Sequence, residues 1–159
     1  MIDNRRKLAA ASDMLMIGWR EWITLPALSP VPIKAKIDTG AKTSALHAFF
    51  IEPYEANDTR MVKFLLHPFQ KDIDTVVECH APVADQRKVR DSGGHEEIRY
   101  VIASEFNIGG QSFTAEITLT DRDSMAFRML LGRNALANRF LVHSKASFLL
   151  GGKSKAPPG

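Results

Sequence analysis

Ile37-Asp38-Thr39-Gly40-Ala41 is the segment of this chain best suited to chemistry. An apolar residue delivers an aspartate into a turn, and a hydroxyl residue and a glycine follow. The Thr39 hydroxyl could donate into the loop network that holds the carboxylate. Gly40 has no side chain, so two such loops could approach closely. Two carboxylates brought together cannot both ionise cheaply; they share a proton and one pKa rises. The ionised partner then activates water while the protonated one polarises a scissile carbonyl. Asp-Thr-Gly alone is a weak motif, because three residues recur by chance. A second segment strengthens it: Met129-Leu130-Leu131-Gly132-Arg133-Asn134-Ala135-Leu136, an apolar run that ends in Gly-Arg-Asn at the start of a short helix.

Other constellations are weaker. Asp91-Ser92-Gly93 spells a similar triplet and could complete a dyad within one chain. However, Lys88-Val89-Arg90 before it is no apolar strand, and the interval from Asp38 is too short for a whole lobe. His95-Glu96-Glu97-Ile98-Arg99 begins like a metalloprotease helix motif but has Arg99 where the second His belongs, and it falls in a Gly-rich hairpin. The five histidines, 47, 67, 80, 95 and 143, include no pair at ligand spacing of three or four, so no metal site is expected. Gly151-Gly152-Lys153-Ser154 hints at a phosphate loop but lacks the first glycine and room for a helix. Cys79 is the single cysteine; it excludes an internal disulfide and reads as a small buried hydrophobe rather than a nucleophile.

The elements that must position these residues are short. Gly and Pro punctuate the chain at the spacing of an all-β domain. Expected strands are Ile17 to Leu25, Ile33 to Ile37, Thr43 to Phe50, Met61 to His67, Thr75 to Ala81, Arg87 to Arg90, Ile98 to Ser104, Phe106 to Ile108, Ser112 to Leu119, Met129 to Leu131 and Leu141 to Leu149. Asp91 to His95 reads as the Gly-rich tip of a hairpin, and Gly109-Gly110 as a β-turn. Asn134 to Asn138 is the best helix candidate.

With 159 residues, the chain is one domain by size and long enough for a core. Its 45% apolar and 25% charged residues are ordinary soluble values, and a net charge of +3 is no nucleic-acid signature. Arg87, Lys88, Arg90 and Arg99 do cluster, as a solvated hairpin or as an attractor for an acidic substrate. Near the N-terminus Asp13 interrupts the apolar run that a signal peptide needs, and no stretch approaches a membrane span. The expected organisation is a mobile arm over 1–14, a single domain over 15–150 and a disordered tail over 151–159, in the cytoplasm, with neither membrane nor nucleic acid as partner.

The Asp38 and Gly132-Arg133 segments together resemble the retroviral-type aspartic peptidases. Three blocks, Ile17 through His47, Arg87 through Ile102 and Leu130 to Phe140, are similar to a bacterial retropepsin-like family named ATP-dependent zinc proteases. The resemblance implies an all-β, closed retropepsin-like barrel (the acid protease fold) with one short helix. It implies catalysis by Asp38, with Thr39 and Gly40 fixing its loop and Ala41, Gly132, Arg133 and Asn134 supporting it. It also implies a homodimer with one Asp38 from each subunit, and a flap holding Arg90, Ser92, Gly93, Gly94, His95 and Arg99. Some members are associated with ATP-grasp glutamate ligases and are implied to trim glutamate tails, so the expected substrate is a peptide or protein, acidic or glutamate-rich. Zinc and ATP are suggested by the family name alone; no cofactor is expected. One departure stands out: the position four after the aspartate is usually acidic and pairs with the later arginine, whereas here it is Lys42, free to meet an acidic substrate. The rivals are a zinc-dependent peptidase and a non-catalytic binding or regulatory module on the same barrel.

Overall fold

The structure is a computed structural model that describes residues 13–90, 93–122 and 126–151. Within them the chain forms β1 (Leu15–Ile17), β2 (Arg20–Ile23), β3 (Ile33–Ile37), β4 (Ser44–His47), β5 (Phe49–Ala56), β6 (Thr59–Leu66), β7 (Val77–Arg90), β8 (Glu96–Ile108), β9 (Gln111–Thr120), β10 (Met129–Leu131), the single-turn helix α1 (Arg133–Leu136) and β11 (Phe140–Val142). The fold is mostly β with one short helix among the described residues. Most of the expected arm and tail, 1–12 and 152–159, lies outside them. No helix among the described residues is long and apolar enough to cross a membrane.

Local chemistry explains the well-defined elements. In β3 the alternation is regular: Ile33, Ala35 and Ile37 face the core while Lys34 and Lys36 face outward. In β10 Met129 and Leu131 are fully buried and Leu130 half-buried, and the strand is hydrogen-bonded to a neighbour on each side. Two tight hairpins end in residue pairs with positive φ, Asn57-Asp58 (52° and 62°) and Gly109-Gly110 (59° and 84°). That turn geometry matches the twist of the paired strands.

Nine strands form one sheet in the order β2-β3-β10-β4-β9-β8-β7-β6-β5, and β1 pairs with β11 in a separate parallel pair. The core is built from the inward side chains of this rolled sheet, including Phe64, Phe106, Ile102, Ile117 and Leu119. The closed barrel expected from the sequence is not found. Closure needs a continuous staggered ladder between the first and last strands. Here β2 does not meet β5; it returns to β8 through the single bridge Thr24–Asn107, whose two backbone bonds are 3.1 and 2.8 Å. Pro26 follows two residues later and cannot donate to a longer ladder.

Several expected strands are redrawn. Ile17 to Leu25 is broken at Gly18-Trp19, where the chain passes from one sheet to the other. A Cβ on Gly18 would lie 2.2 Å from the Ala146 carbonyl oxygen, so only glycine allows this approach. Glu21, fully buried, accepts from the backbone N–H groups of Gly18 (2.7 Å), Leu149 (2.9 Å) and Leu150 (3.2 Å). Leu141 to Leu149 is a strand only to Val142; beyond it the backbone folds back onto Gly18 and Arg20. The pieces expected over 75–90 and 98–108 are the long strands β7 and β8. Cys79 is buried, its thiol donates to the Leu28 carbonyl at 3.1 Å, and burial, helped by the Glu78 charge, pushes its pKa up to about 12. A thiol in that state makes a poor nucleophile.

Candidate active site

The topology wraps one loop from both sides. Residues 38–43 connect β3 to β4, yet these strands are not neighbours: β10 lies between them, parallel to β3 and antiparallel to β4. Leu131, the last residue of β10, is opposite Ile37, and its carbonyl accepts from the Asp38 N–H at 2.8 Å. The chain then turns on itself. The Ala41 N–H donates to the Asp38 carbonyl (3.2 Å), and the Gly40 N–H donates to Asp38 Oδ1 (3.1 Å). The second bond is an Asx-type turn that orients the carboxylate by its own loop.

The Gly132-Arg133-Asn134 segment locks this loop through backbone groups. The first N–H groups of a helix have no partner within it. Those of Arg133 and Asn134 donate to the carbonyls of Ala41 (2.8 Å) and Lys42 (2.9 Å). The Gly132 N–H donates to the buried Ser44 Oγ at 3.0 Å. Arg133 Nη1 donates to the Thr39 carbonyl at 3.1 Å. Arg133 therefore holds the loop through a peptide oxygen, which accounts for a lysine at position 42: no acid is needed there. A Cβ on Gly132 would lie 2.6 to 2.9 Å from backbone atoms of Thr43 and Ser44. Gly132→Ala is therefore expected to destabilise the fold by about 1–3 kcal/mol through overpacking, read as a lower urea midpoint.

Asp38 is partly exposed, and Thr39 and Gly40 are exposed beside it. The hydrogen bond that engages Thr39 runs through its carbonyl rather than the hydroxyl expected from the sequence. A Cβ on Gly40 would meet only Asp38 Oδ1, at 3.3 Å. Within one chain, then, the face over the carboxylate is open.

A ribbon of β7 and β8 reaches toward this loop. Beyond the irregularity between Val83 and Asp85 the two strands continue, pairing Asp85 with Val101 through to Arg90 with Glu96, while β9 pairs with β8 only from Val101 onward. From this ribbon Arg87 donates to Thr43 Oγ1 (3.5 Å) and pairs with Glu116 (3.4 Å) and Asp85 (3.1 Å). Gly93, Gly94 and His95 are exposed at the tip, Gly94 with φ of 83°. Asp91 and Ser92 of the second triplet lie outside the described residues. The side chain of Arg90 also lies outside them. Arg99 is engaged by Glu97 at 2.8 Å on the same strand. Sequence reasoning saw Arg87 only as part of a basic cluster and missed its link to Thr43. It missed Ser44 altogether, for which the sequence carries no signal.

Zinc finds no ligand set among the described residues. No group of three or more His, Cys, Asp or Glu side chains is placed to hold a metal among the described residues. His95 precedes a strand, so it shares no helical face with a second ligand. His47 accepts at Nδ1 from the Arg122 N–H (3.2 Å), and His80 on β7 lies between Tyr54 (2.7 Å) and Glu78 (3.1 Å). Of the phosphate-loop-like segment, only Gly151 is described.

A family model described as the retropepsin-like aspartic endopeptidase RimB matches residues 16–151. A protein of Shewanella pealeana named "Probable alpha-L-glutamate ligase" is 44% identical over 143 residues, 90% of this chain and 31% of its own length. Proteins of the same name from Parasynechococcus marenigrum (44% identical, 86% of this chain, 29% of its own) and Desulfotalea psychrophila (40%, 91% and 31%) are similar. The chain thus spans less than a third of the curated relatives it matches. A crystal structure of a Legionella pneumophila protein of unknown function shares the fold, with a TM-score of 0.72 at 24% identity over 86% of this chain and 98% of that one.

Proposed function

Because the chain belongs to the RimB-like family of retropepsin-like aspartic endopeptidases, we propose that it hydrolyses peptide bonds with the Asp38 carboxylate. The observation that carries this reading is a carboxylate held by its own turn and by β10, yet open to solvent at Thr39 and Gly40. Each chain supplies one such loop, so the active form is a homodimer with two Asp38 residues meeting across a twofold axis. The open face over Gly40 leaves room for that approach. In the dimer the paired carboxylates share one proton. The ionised one takes a proton from water, whose oxygen attacks the carbonyl carbon. The protonated one hydrogen-bonds the carbonyl oxygen and then supplies the proton the departing amine requires. The β7–β8 ribbon acts as the flap, with Gly93, Gly94 and His95 at its tip and Arg99 along it. The glutamate in the relatives' names supports an acidic or glutamate-tailed peptide as substrate, and those longer chains support a working association with a glutamate ligase.

The small share of each relative that the chain spans favours one other reading: a non-catalytic module that serves a ligase. The test is hydrolysis of a glutamate-tailed peptide by the wild-type chain, with and without chelator, over a range of protein concentrations. The expected result is cleavage that survives the chelator and rises more steeply than linearly with concentration. No cleavage of this peptide or of a mixed peptide pool would move the weight to the module.

A further inference from the structure

A second feature of the site is cationic. An open cavity of about 720 Å³ adjoins the Asp38 loop and is lined by Lys42, Arg133, Asn134, Ala137, Asn138 and Arg139. Three of these six residues are cations, two are amides and none is an acid. No ion pair joins Lys42, Arg133 or Arg139 to an acid among the described residues. The two guanidinium groups are nonetheless held in place. Arg133 donates one N–H to the Thr39 carbonyl, and Arg139 donates one to the Asn134 carbonyl at 3.3 Å. Arg139 also lies 4.1 Å over the Phe113 ring. Each arginine therefore keeps most of its donor fork, pre-oriented by neutral partners. Like charges gathered without a counter-ion repel one another, and the arrangement becomes favourable when an anion enters.

We infer that this cavity is a carboxylate subsite, in which Lys42, Arg133 and Arg139 together receive an acidic side chain of the substrate beside the bond being cut. The inference rests on the peptidase reading for its account of why a peptide lies there, but binding can be tested without cleavage. Arg139 is the specificity-determining residue, because it lines the cavity without holding the Asp38 loop. A guanidinium fork matches the two oxygens of a carboxylate, so planar carboxylates are the fitting ligand.

The probe is a fluorescein-labelled hexaglutamate peptide, with hexaglutamine as its neutral counterpart, titrated against Asp38→Asn protein by fluorescence anisotropy. Hexaglutamate should bind more tightly than hexaglutamine, and less tightly as salt is added. Arg139→Gln should weaken hexaglutamate roughly tenfold and leave hexaglutamine unchanged. Arg139→Lys, which keeps the charge and loses the fork, should fall between, and it carries the test if the glutamine variant does not fold. Equal affinity for the two peptides, or an Arg139 variant that binds hexaglutamate as well as the parent, would overturn the subsite. A single-stranded oligonucleotide of equal charge binding as tightly would overturn the assignment to carboxylates. Tight hexaglutamate binding beside a wild-type chain that cleaves nothing would count against the peptidase reading alone.

Discussion

Asp38→Asn should lower kcat/KM for peptide hydrolysis by roughly a thousandfold while leaving the fold intact. The amide oxygen of asparagine can still accept from the Gly40 N–H, the bond that orients the native carboxylate. The backbone bonds to Leu131 and Ala41 are untouched. What disappears is the group that takes a proton from water, so KM should change little and kcat should collapse. Mixing wild type with the variant adds a second readout. If the site is shared across a twofold axis, equal amounts after subunit exchange leave about a quarter of the dimers with two aspartates. Activity near one half would instead mean that each chain works alone, and the shared-dyad reading would be lost.

Glu21→Ala should be the most damaging single change to stability. The carboxyl group accepts from three backbone N–H groups, those of Gly18, Leu149 and Leu150, at a fully buried position. Truncation leaves these donors without a partner, at a cost of about 1–3 kcal/mol for each one that water cannot reach. A loss of about 3 kcal/mol or more is expected, measured by urea unfolding. Glu21→Gln keeps one acceptor oxygen and should cost less. A Glu21→Ala protein as stable as wild type would mean that the segment around Leu149 contributes little.

Much of the site's framework could be read from residue types. Ile33 to Ile37 alternates and Met129 to Leu131 is continuously apolar, and both strands have the expected bounds. Gly109-Gly110 makes the expected turn because both residues take positive φ. The helix was legible too, although it spans Arg133–Leu136 rather than Asn134 to Asn138, since Ala137, with ψ of 132°, already leaves the helical path and Asn138 follows at a φ of 65°. Other features depend on distant partners and left no local trace. Glu21 lies within the expected strand Ile17 to Leu25 and carries no signal there, yet its carboxylate oxygens serve residues from the far end of the domain. β7 is expected in two pieces, Thr75 to Ala81 and Arg87 to Arg90, on either side of Pro82. Within the sheet its pairing with β6 and β8 holds it as one strand across an irregularity at Val83. Asn57-Asp58 carries no glycine, and its hairpin went unread. The open sheet in place of a closed barrel depends on where β2 ends, which composition does not reveal.

The position of β10 between β3 and β4 also sets a schedule. During synthesis the Asp38 loop leaves the ribosome long before Leu131, Gly132 and Arg133, whose backbone groups hold it. Closing so long an interval of chain is slow relative to forming local hairpins. A nascent chain should therefore complete β5–β9 while its candidate catalytic loop is still unclamped. A peptidase assembled in this order stays inert until nearly all of the domain has been made.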